Sequence, residues 1–521
     1  MKTCLFEKHL ALKAKMVDFC GWQLPLHYPK GTIYEHLAVR KGVGLFDISH
    51  MGRISIVGDD AETLLNYLST NQIQGRSPGS VTYTVFSNTT GGSVDDALVF
   101  KEDSTNFFIF INSFNREKVL SHLMDYAKNM DVVITSHFDE GMIALQGPRS
   151  PLLIGQILPE AIQLKYMHFI PITYRSQKVY LCRTGYTGSI GFELVGPASA
   201  IVALWDEFME LGQVYGIEAA GIGARDTLRL EMGYALYGQE LSETIAPTES
   251  VSAWQVKWNK PDFLGKEALD FLETSPKKRY QYGVIVKDRQ IAKVNSSVSL
   301  DDELIGFVTS GNYSPILNEP IAIIMVDCPL YKGQEVKLDI RSQKITGEVV
   351  DLPFVPIDCK QIEKMVRDRQ SWFRSAKTVY LNPGSRCADR IKELTSHISS
   401  LGYKVVNKEL LEIDISKHSA ADLERKELAR LDQAAYAILD CTEADAGYGR
   451  AIEYARTKGF LGKVPAKVLC LYDNHHEQKL SYMIKGMSEE AYPHVQVSGY
   501  ENMQTAKSLI TQFIENDKGA L

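Results

Sequence analysis

The chain has 521 residues, of which 45% are hydrophobic and 23% are charged, and its formal net charge is −7. This composition is typical of a globular protein, and the length exceeds what one hydrophobic core supports, so roughly three or four structural units are expected. The acidic balance excludes nucleic acid and an anionic membrane surface as the main partners.

Nothing in the sequence predicts export, membrane insertion or a metal site. The longest apolar runs, such as 321–326, have the length of a strand and not of a spanning helix. The first residues contain neither an apolar signal core nor an Arg- and Ser-rich transit segment. The eight cysteines are dispersed without a C-x-x-C pair, which favours reduced thiols over disulfides or a zinc ribbon. We therefore expect a cytoplasmic protein.

The first part of the chain, up to about residue 280, has the pattern of a mixed α+β fold. Alternating apolar residues predict strands at 53–57, 107–111 and 179–183. Apolar residues at three- and four-residue spacing predict helices at 61–68 and 200–211. We expect residues 1–280 to form a core of several subdomains.

A strand-rich segment follows, between about residues 281 and 360. Its apolar runs are short and are separated by glycines, which indicates turns. These glycines are Gly306, Gly311, Gly333 and Gly347. The segment therefore predicts a small β-barrel or sandwich that ends the first module.

A change of composition after Pro356 marks a second module. Residues 361–377 are charged and are expected to form a helical linker, and residues 378–521 then alternate between strand and helix patterns. This alternation predicts an α/β doubly wound parallel sheet. The expected strands are 378–381, 404–406, 436–440 and 468–472, and the expected helices are 388–401, 421–432 and 449–458.

Two adjacent acids, Asp95 and Asp96, interrupt an apolar run that otherwise has the pattern of a buried strand. Burying unpaired charges costs free energy, so two adjacent acids in such a run are expected either to be exposed to solvent or to serve a function. Because side chains alternate along a strand, only one of the two can face a given pocket. By itself the segment favours a sheet edge or hairpin end with two solvated acids over a functional site.

Several motifs surround the acid pair in a fixed order along residues 2–358. They are MVDFCGWQLPL at 16–26, GLFDISHMG at 44–52, LQGP at 145–148, RTGYTG at 183–188, GFE at 191–193, GARDTLRLE at 223–231, LYGQE at 236–240, DFLGK at 262–266 and TSGNYSP at 309–315. Together they resemble the aminomethyltransferase (T-protein) family of the glycine cleavage system. The resemblance implies an α+β fold of several subdomains that ends in a small β-barrel.

The resemblance also implies the reaction. Tetrahydrofolate would receive a one-carbon unit from the aminomethyl group on the dihydrolipoyl arm of the H-protein. The products would be ammonia, 5,10-methylenetetrahydrofolate and the reduced lipoyl arm. Lipoylated H-protein, and with it the glycine cleavage system, is therefore the expected partner.

The family's catalytic aspartate is the second of its acid pair, which is Asp96 here, and Asp95 would face away. A carboxylate beside folate can orient the ring amines, stabilise a developing cation and relay a proton. Glu193 matches the acid that accepts hydrogen bonds from pterin N–H groups, and Arg225 matches a ligand-binding arginine. The other matching cavity positions are Met51, Tyr83, Asn112, Tyr186 and Tyr234.

Simpler structural interpretations exist for some of these residues. His50 is expected to be a hydrogen-bonded structural histidine, and Arg225 with Asp226 would suit a structural ion pair. The family often has Tyr where this chain has Phe100, which would remove a hydroxyl from the cavity, and Ser189 replaces a usual acid. A sister folate-dependent demethylase and a folate-binding protein without transferase activity remain alternatives.

Residues 378–518 resemble the nucleoside 2-deoxyribosyltransferase and deoxynucleoside-monophosphate N-glycosidase family. The matching segments are GSR at 384–386, YAILDCT at 436–442, GYG at 447–449, LCLY at 469–472 and LSYMIKG at 480–486. Ligands of such sheets bind beyond the carboxyl ends of the strands. The resemblance implies a ligand site at Ser385, Arg386, Gly447, Gly449, Glu453 and Ser481.

The position of the family's nucleophilic glutamate depends on the alignment. Without gaps it falls on Ala451, which cannot act as a nucleophile, whereas two inserted loop residues place it on Glu453. The two positions are about 200° apart around a helix, so only one faces the pocket. We expect a non-catalytic module that binds a nucleotide-like ligand or serves assembly, with a bifunctional enzyme as the alternative.

Overall fold

The computed structural model describes residues 1–276, 278–356, 378–382, 388–406, 431, 434, 436–441, 467–473 and 495–518. The chain divides into two compact units, Met1–Ile362 and Glu363–Leu521. Across the described ranges, no helix is both long and apolar enough to cross a membrane.

Five antiparallel strands form the sheet that carries the acid pair. In spatial order they are Val81–Ser87, Ser93–Lys101, Asn106–Ile111, Gly52–Val57 and Val133–Ser136. One face packs against the helices Ala61–Leu68 and Arg116–Tyr126, where Ile109 and Leu64 are buried. The strands expected at 53–57 and 107–111 and the helix expected at 61–68 are confirmed.

Six strands form a second sheet in the same unit. In spatial order they are Phe169–Tyr174, Gln177–Cys182, Gly191–Gly196, Gly141–Gln146, Val43–Asp47 and Ile217–Ala219. Only the last pairing is parallel. Helices flank this sheet at Thr32–Lys41, Ser150–Ile157, Ala198–Leu211 and Ile222–Glu231. Shorter elements are the helices Phe6–Ala11 and Lys266–Glu273 and the hairpin of Lys15–Phe19 with Trp22–His27.

The two sheets share a hydrophobic core that is rich in aromatic rings. Phe100 lies at its centre, with ring centres 4.5 Å from Phe108, 4.3 Å from Phe110 and 5.3 Å from Phe169. Phe100 is fully buried there and does not line the cavity described below. The expectation that this phenylalanine deprives the cavity of a hydroxyl is therefore wrong, because the ring belongs to the core between the sheets.

The segment after residue 279 closes into a six-stranded antiparallel barrel, as expected. Around the barrel the strands are Tyr280–Val286, Glu319–Val326, Glu303–Ser314, Ser297–Leu300, Glu335–Ile340 and Gln343–Val350. The barrel packs on the rest of the unit through Leu230, Ile321 and Phe354. This shared apolar contact explains why the chain forms two compact units and not three or four.

Three of the four glycines expected at turns lie inside strands instead. Gly347 lies in the strand Gln343–Val350, and Gly306 and Gly311 lie in the strand Glu303–Ser314. A Cβ on Gly306 would come 2.0 Å from the carbonyl oxygen of Met325, and one on Gly311 would come 2.0 Å from that of Ala292. These positions require glycine because another backbone segment passes too close for any side chain.

The second unit contains a five-stranded parallel sheet. Its strands, in spatial order, are Lys404–Val405, Thr378–Asn382, Tyr436–Asp440, Lys467–Asp473 and Val495–Tyr500. The helices Ala388–Ser400 and Met503–Lys518 pack on one face, and Leu431 packs on the other. The helices expected at 421–432 and 449–458 lie outside the described residues, apart from Leu431.

Substituting Gly306→Ala tests the close backbone approach in the barrel. We expect the free energy of unfolding to fall by about 2 kcal/mol, because the strands must separate to admit the new methyl group. Lys293→Ala, at an exposed position of the same unit, should change it by less than about 0.5 kcal/mol. Urea unfolding of the full chain measures both, and equal midpoints would contradict the steric account.

Candidate active site

A cavity of about 400 Å³ lies between the two sheets of the first unit. The first sheet contributes Tyr83 and Asp96 to its wall, and the second contributes Glu193. The helix Ile222–Glu231 contributes Arg225, and the segment 235–239 completes the enclosure. Residues distant in sequence thus converge on one concave, mostly apolar site, as is usual for small-molecule binding.

Seven of the eight residues predicted for the first site border this cavity. They are Met51, Tyr83, Asp96, Asn112, Tyr186, Glu193 and Arg225. Tyr234 is not among the lining residues. Its ring centre is 5.8 Å from that of Tyr186, so it supports the cavity wall from behind.

Asp96 borders the cavity, where two neutral donors hold its carboxylate. The Tyr83 hydroxyl donates to Oδ2 over 3.1 Å, and the Asn112 Nδ2 donates to Oδ1 over 2.7 Å. Burial raises the pKa of Asp96 to about 6, although both hydrogen bonds favour the ionised form. A carboxyl group with a pKa near neutrality is suited to proton transfer.

Asp95 is fully buried on the opposite face of the strand, as alternation predicts. Its carboxylate accepts three hydrogen bonds. They come from the backbone nitrogen of Asn112 at 3.0 Å, from the side-chain Nδ2 of Asn112 at 2.8 Å and from Asn115 Nδ2 at 2.6 Å. Burial and the neighbouring Asp96 charge raise the pKa of Asp95 to about 8. The two acids are thus linked through Asn112 although they face apart.

The opposite wall of the cavity holds Glu193 and Arg225. Glu193 is buried and accepts a hydrogen bond from the Thr184 hydroxyl at 2.5 Å. Burial raises the pKa of Glu193, while Thr184 and the charge of Arg225 act in the other direction. The Arg225 guanidinium lies 4.6 Å from the ring centre of Tyr186, whose hydroxyl donates to the carbonyl of Ala235.

The structural ion pair considered between Arg225 and Asp226 does not form. Asp226 pairs with Arg229 one helical turn later, at 2.8 Å. Successive helical residues point about 100° apart, so Arg225 turns to the cavity while Asp226 turns away from it. Arg225 therefore presents its charge to the cavity beside the carboxylate of Glu193.

His50 borders the cavity and is almost fully buried, yet its Nδ1 has no hydrogen-bond partner among the described residues. Its ring meets the ring of Phe19 edge to face, with centres 5.6 Å apart. Burial and the charge of Arg225 lower the pKa of His50 to about 3, so the imidazole is neutral. The expectation of a hydrogen-bonded structural histidine is wrong in this respect.

A buried ion pair fixes the segment that encloses the cavity. The Arg229 guanidinium contacts the Glu240 carboxylate at 2.9 Å and donates to the Tyr234 carbonyl at 3.1 Å and to the Gln239 side chain at 3.0 Å. Glu240 in turn accepts hydrogen bonds from the Leu236 amide at 3.0 Å and from Thr309 at 2.6 Å. The barrel, the helix and the cavity wall are thereby joined.

Sequence reasoning left several lining residues without a role. The cavity is also bordered by Phe19, Cys20, Phe114, Leu236, Tyr237 and Gln239. All but Phe114 lie in the motifs at 16–26 and 236–240, so the motifs identified the segments but not which side chains face inwards. Phe114 follows the strand Asn106–Ile111 and is 77% exposed, at the opening of the cavity.

The six residues predicted for the second unit lie outside the described residues. They are Ser385, Arg386, Gly447, Gly449, Glu453 and Ser481. At the carboxyl edge of the described sheet, Asp440 accepts a hydrogen bond from the Tyr500 hydroxyl at 2.8 Å and is paired with Arg390.

Comparison with known proteins gives matches to the first unit. Residues 5–260 match the GCVT N-terminal domain, and residues 279–356 match the glycine cleavage T-protein C-terminal barrel domain. An aminomethyltransferase of Pseudothermotoga lettingae is 37% identical over 68% of this chain and 97% of that protein. One of Chlorobaculum tepidum is 39% identical over 68% of this chain and 99% of that protein.

A solved structure has the same fold over the same region. The crystal structure of glycine cleavage system aminomethyltransferase T from Bartonella henselae matches with a TM-score of 0.63 and 30% identity. The match covers 68% of this chain and 98% of that one.

Substituting Glu240→Gln tests the ion pair behind the cavity wall. The paired side chains of Arg229 and Glu240 are 2% and 0% exposed, so the variant leaves a buried guanidinium without this counter-charge. We expect a loss of about 3 kcal/mol in the free energy of unfolding.

Lys332→Ala is the matched control, because it removes an ion pair with Asp351 whose side chains are 69% and 72% exposed. It should cost less than about 1 kcal/mol. Urea unfolding of the full chain compares the two variants, and a Glu240→Gln loss no larger than that of the control would contradict the role of the pair.

Proposed function

Over residues 1–356 the chain belongs to the glycine cleavage T-protein (aminomethyltransferase) family, and on that premise we propose that Asp96 and the cavity beside it carry the reaction. The enzyme is a tetrahydrofolate-dependent transferase that acts on the aminomethyl group of lipoyl H-protein. The alternative functions, a demethylase and a folate-binding protein, are not favoured by the relatives.

One observation carries the assignment of Asp96. It is the carboxylate that borders the cavity with a pKa raised to about 6 and with one oxygen each bound by Tyr83 and Asn112. Two folate N–H groups lose their protons when the methylene bridge forms, and ammonia and the lipoyl thiol each gain one. A carboxylate that holds a proton in transit connects these steps.

The charge of Asp96 serves the same reaction electrostatically. The methylene carbon becomes cationic as its bonds to nitrogen and sulfur are exchanged. A carboxylate held in a fixed position beside the reacting carbon stabilises such a charge more strongly than mobile solvent does. Because Tyr83 and Asn112 hold the carboxylate in advance, little reorganisation is needed when the charge develops.

The other wall of the cavity suits the folate ring. We assign to Glu193 the acceptance of pterin N–H groups, since a buried carboxylate has lone pairs for two adjacent donors. The flat rings of Tyr83 and Tyr186 suit stacking on the ligand, and Met51 adds an apolar contact. Arg225 would meet a carbonyl or carboxylate group of the folate. Tyr234 keeps Tyr186 in place from behind.

The opening of the cavity suits the lipoyl arm of H-protein. Phe114 combines a lining position with high exposure, and Trp254, also exposed, stacks on Tyr83 with ring centres 5.8 Å apart. Exposed aromatic rings at the opening of a cavity are typical contacts for an aliphatic chain. We propose that the arm enters past Phe114.

For the second unit we propose a nucleotide-binding module without catalytic activity, similar to nucleoside 2-deoxyribosyltransferases. The parallel sheet supports this proposal, together with the polar contact of Asp440 with Arg390 and Tyr500 at its carboxyl edge. Ligands of open α/β sheets bind at this edge. Of the two alignments, the one that places Ala451 at the nucleophile position agrees with a module that binds and does not cleave.

Substituting Asp96→Asn tests the catalytic assignment. We expect turnover of aminomethylated H-protein to fall by about 100-fold or more, because the amide neither holds a proton nor carries the charge. Tetrahydrofolate-dependent ammonia release measures this, and tetrahydrofolate affinity is measured alongside. Asp206→Asn, at an exposed site, is the control and should retain full activity. Normal turnover by Asp96→Asn would contradict the catalytic assignment of Asp96. If the wild-type chain binds folate but releases no ammonia, the protein is a folate-binding protein and not a transferase.

Incubating the full chain with 2′-deoxynucleoside monophosphates tests the second unit. We expect binding by calorimetry without release of free base, because a methyl group at the nucleophile position cannot attack a sugar carbon. Glu453→Gln should then behave as the wild type. Base release that this variant abolishes would show instead that the chain is bifunctional.

A further inference from the structure

The side chain of Asn112 connects the two acids of the pair. The strand pairing sets Ala97 opposite Ile111, so Asn112 falls opposite Asp96. Its Nδ2 lies 2.8 Å from Asp95 Oδ1 and 2.7 Å from Asp96 Oδ1. An amide nitrogen has two hydrogens, and here each carboxylate receives one of them. Because both oxygens bind one nitrogen atom, they are at most about 5.5 Å apart.

The surroundings of the pair do not favour two negative charges. Tyr83 and Asn112 bind Asp96, and Asn112 and Asn115 bind Asp95. The charge of Glu240 raises the pKa of Asp96, and both acids raise the pKa of Tyr237. Within the described part of the chain, neither carboxylate forms an ion pair with a cation. Nearby cations have other partners, since Lys118 contacts the Tyr237 hydroxyl at 2.6 Å and Arg229 pairs with Glu240. Two close buried carboxylates without a counter-ion share a proton.

We propose that Asp95 is a positioning residue for Asp96: as a neutral carboxylic acid joined to it through the Asn112 amide, it confines the single negative charge of the pair to Asp96. The proposal rests on the catalytic role proposed above for Asp96. A second charge on Asp95 would raise the proton affinity of Asp96, and Asp96 would then be protonated when its charge is needed.

Burial decides which of the two acids holds the proton. Asp95 is fully buried behind the strand, whereas Asp96 is partly exposed where it borders the cavity and can be solvated there. The pKa values, about 8 for Asp95 and about 6 for Asp96, have the same order. Near neutral pH the proton therefore resides on Asp95 and the charge on Asp96.

An acceptor for the proton of Asp95 is available in Asn115. The Asn115 Oδ1 is buried and has no hydrogen-bond partner among the described residues, while Nδ2 lies 2.6 Å from Asp95 Oδ1. Rotating the side-chain amide of Asn115 by 180° exchanges Oδ1 and Nδ2 without changing the shape of the side chain. The oxygen would then be at the usual distance for a hydrogen bond donated by a carboxylic acid.

The pH dependence of stability tests the protonation of Asp95 without any assay of activity. An acid with a folded pKa raised from about 4 to about 8 gives stability that is lost as the pH rises through this window. Asp95→Asn keeps the shape of the neutral acid and cannot ionise. We expect the melting temperature of the variant to rise relative to that of the wild type as the pH rises. A constant difference between the two melting temperatures over this window, or a fall of the variant relative to the wild type, would overturn the proposal, because the folded pKa of Asp95 would then not be raised.

Turnover tests the positioning role. The acid limb of the kcat profile should stay near pH 6 in Asp95→Asn, because Asp95 is already neutral there. A limb that moves to lower pH in the variant would show that the wild-type Asp95 carries a charge, and would overturn the proposal.

A measurement on the wild type keeps the proposal testable if Asp95→Asn does not fold. With aspartate labelled at its carboxyl carbon, we expect one buried carboxyl to titrate near pH 8 and one near pH 6 in the NMR spectrum. Two carboxyls that both titrate below about pH 4 would overturn it. Full turnover by Asp96→Asn would refute the proposed role of Asp96 alone, whereas these titrations bear on the protonation of Asp95.

Discussion

The buried contact between Arg229 and Glu240 is the interaction on which the cavity depends. It joins the helix Ile222–Glu231 to the segment 235–239 and, through Thr309, to a strand of the barrel. A guanidinium has donors enough to bind Asp226, Gln239 and the carbonyl of Tyr234 at the same time. The barrel therefore contributes to the cavity indirectly, because its residue Thr309 binds Glu240, and Glu240 holds the segment that forms the cavity wall.

The carboxylates in and behind the cavity differ in their surroundings. Asp96 and Glu193 stand on different sheets, so they can act on different parts of one ligand. Asp95 differs from both, because it is fully buried and is connected to Asp96 through the side chain of Asn112. We therefore propose three different roles for these acids, which follow from the burial of each and from the hydrogen-bond donors around it.

The sequence predicted the fold class of the first unit and its terminal barrel, and seven of the eight site residues that it named border the cavity. Alternation along one strand was enough to separate Asp95 from Asp96. It could not predict that Asn112 connects them, since this depends on the register of a neighbouring strand. The burial of Phe100 and the close approach at Gly306 likewise depend on segments distant in sequence, which local patterns do not encode.

A crystal structure of the full chain with tetrahydrofolate tests the central claim most directly. The account predicts that the ligand occupies the cavity between the two sheets and contacts the carboxylates of both Asp96 and Glu193. Folate bound outside this cavity, or bound within it with Asp96 out of reach of its ring amines, would contradict the account.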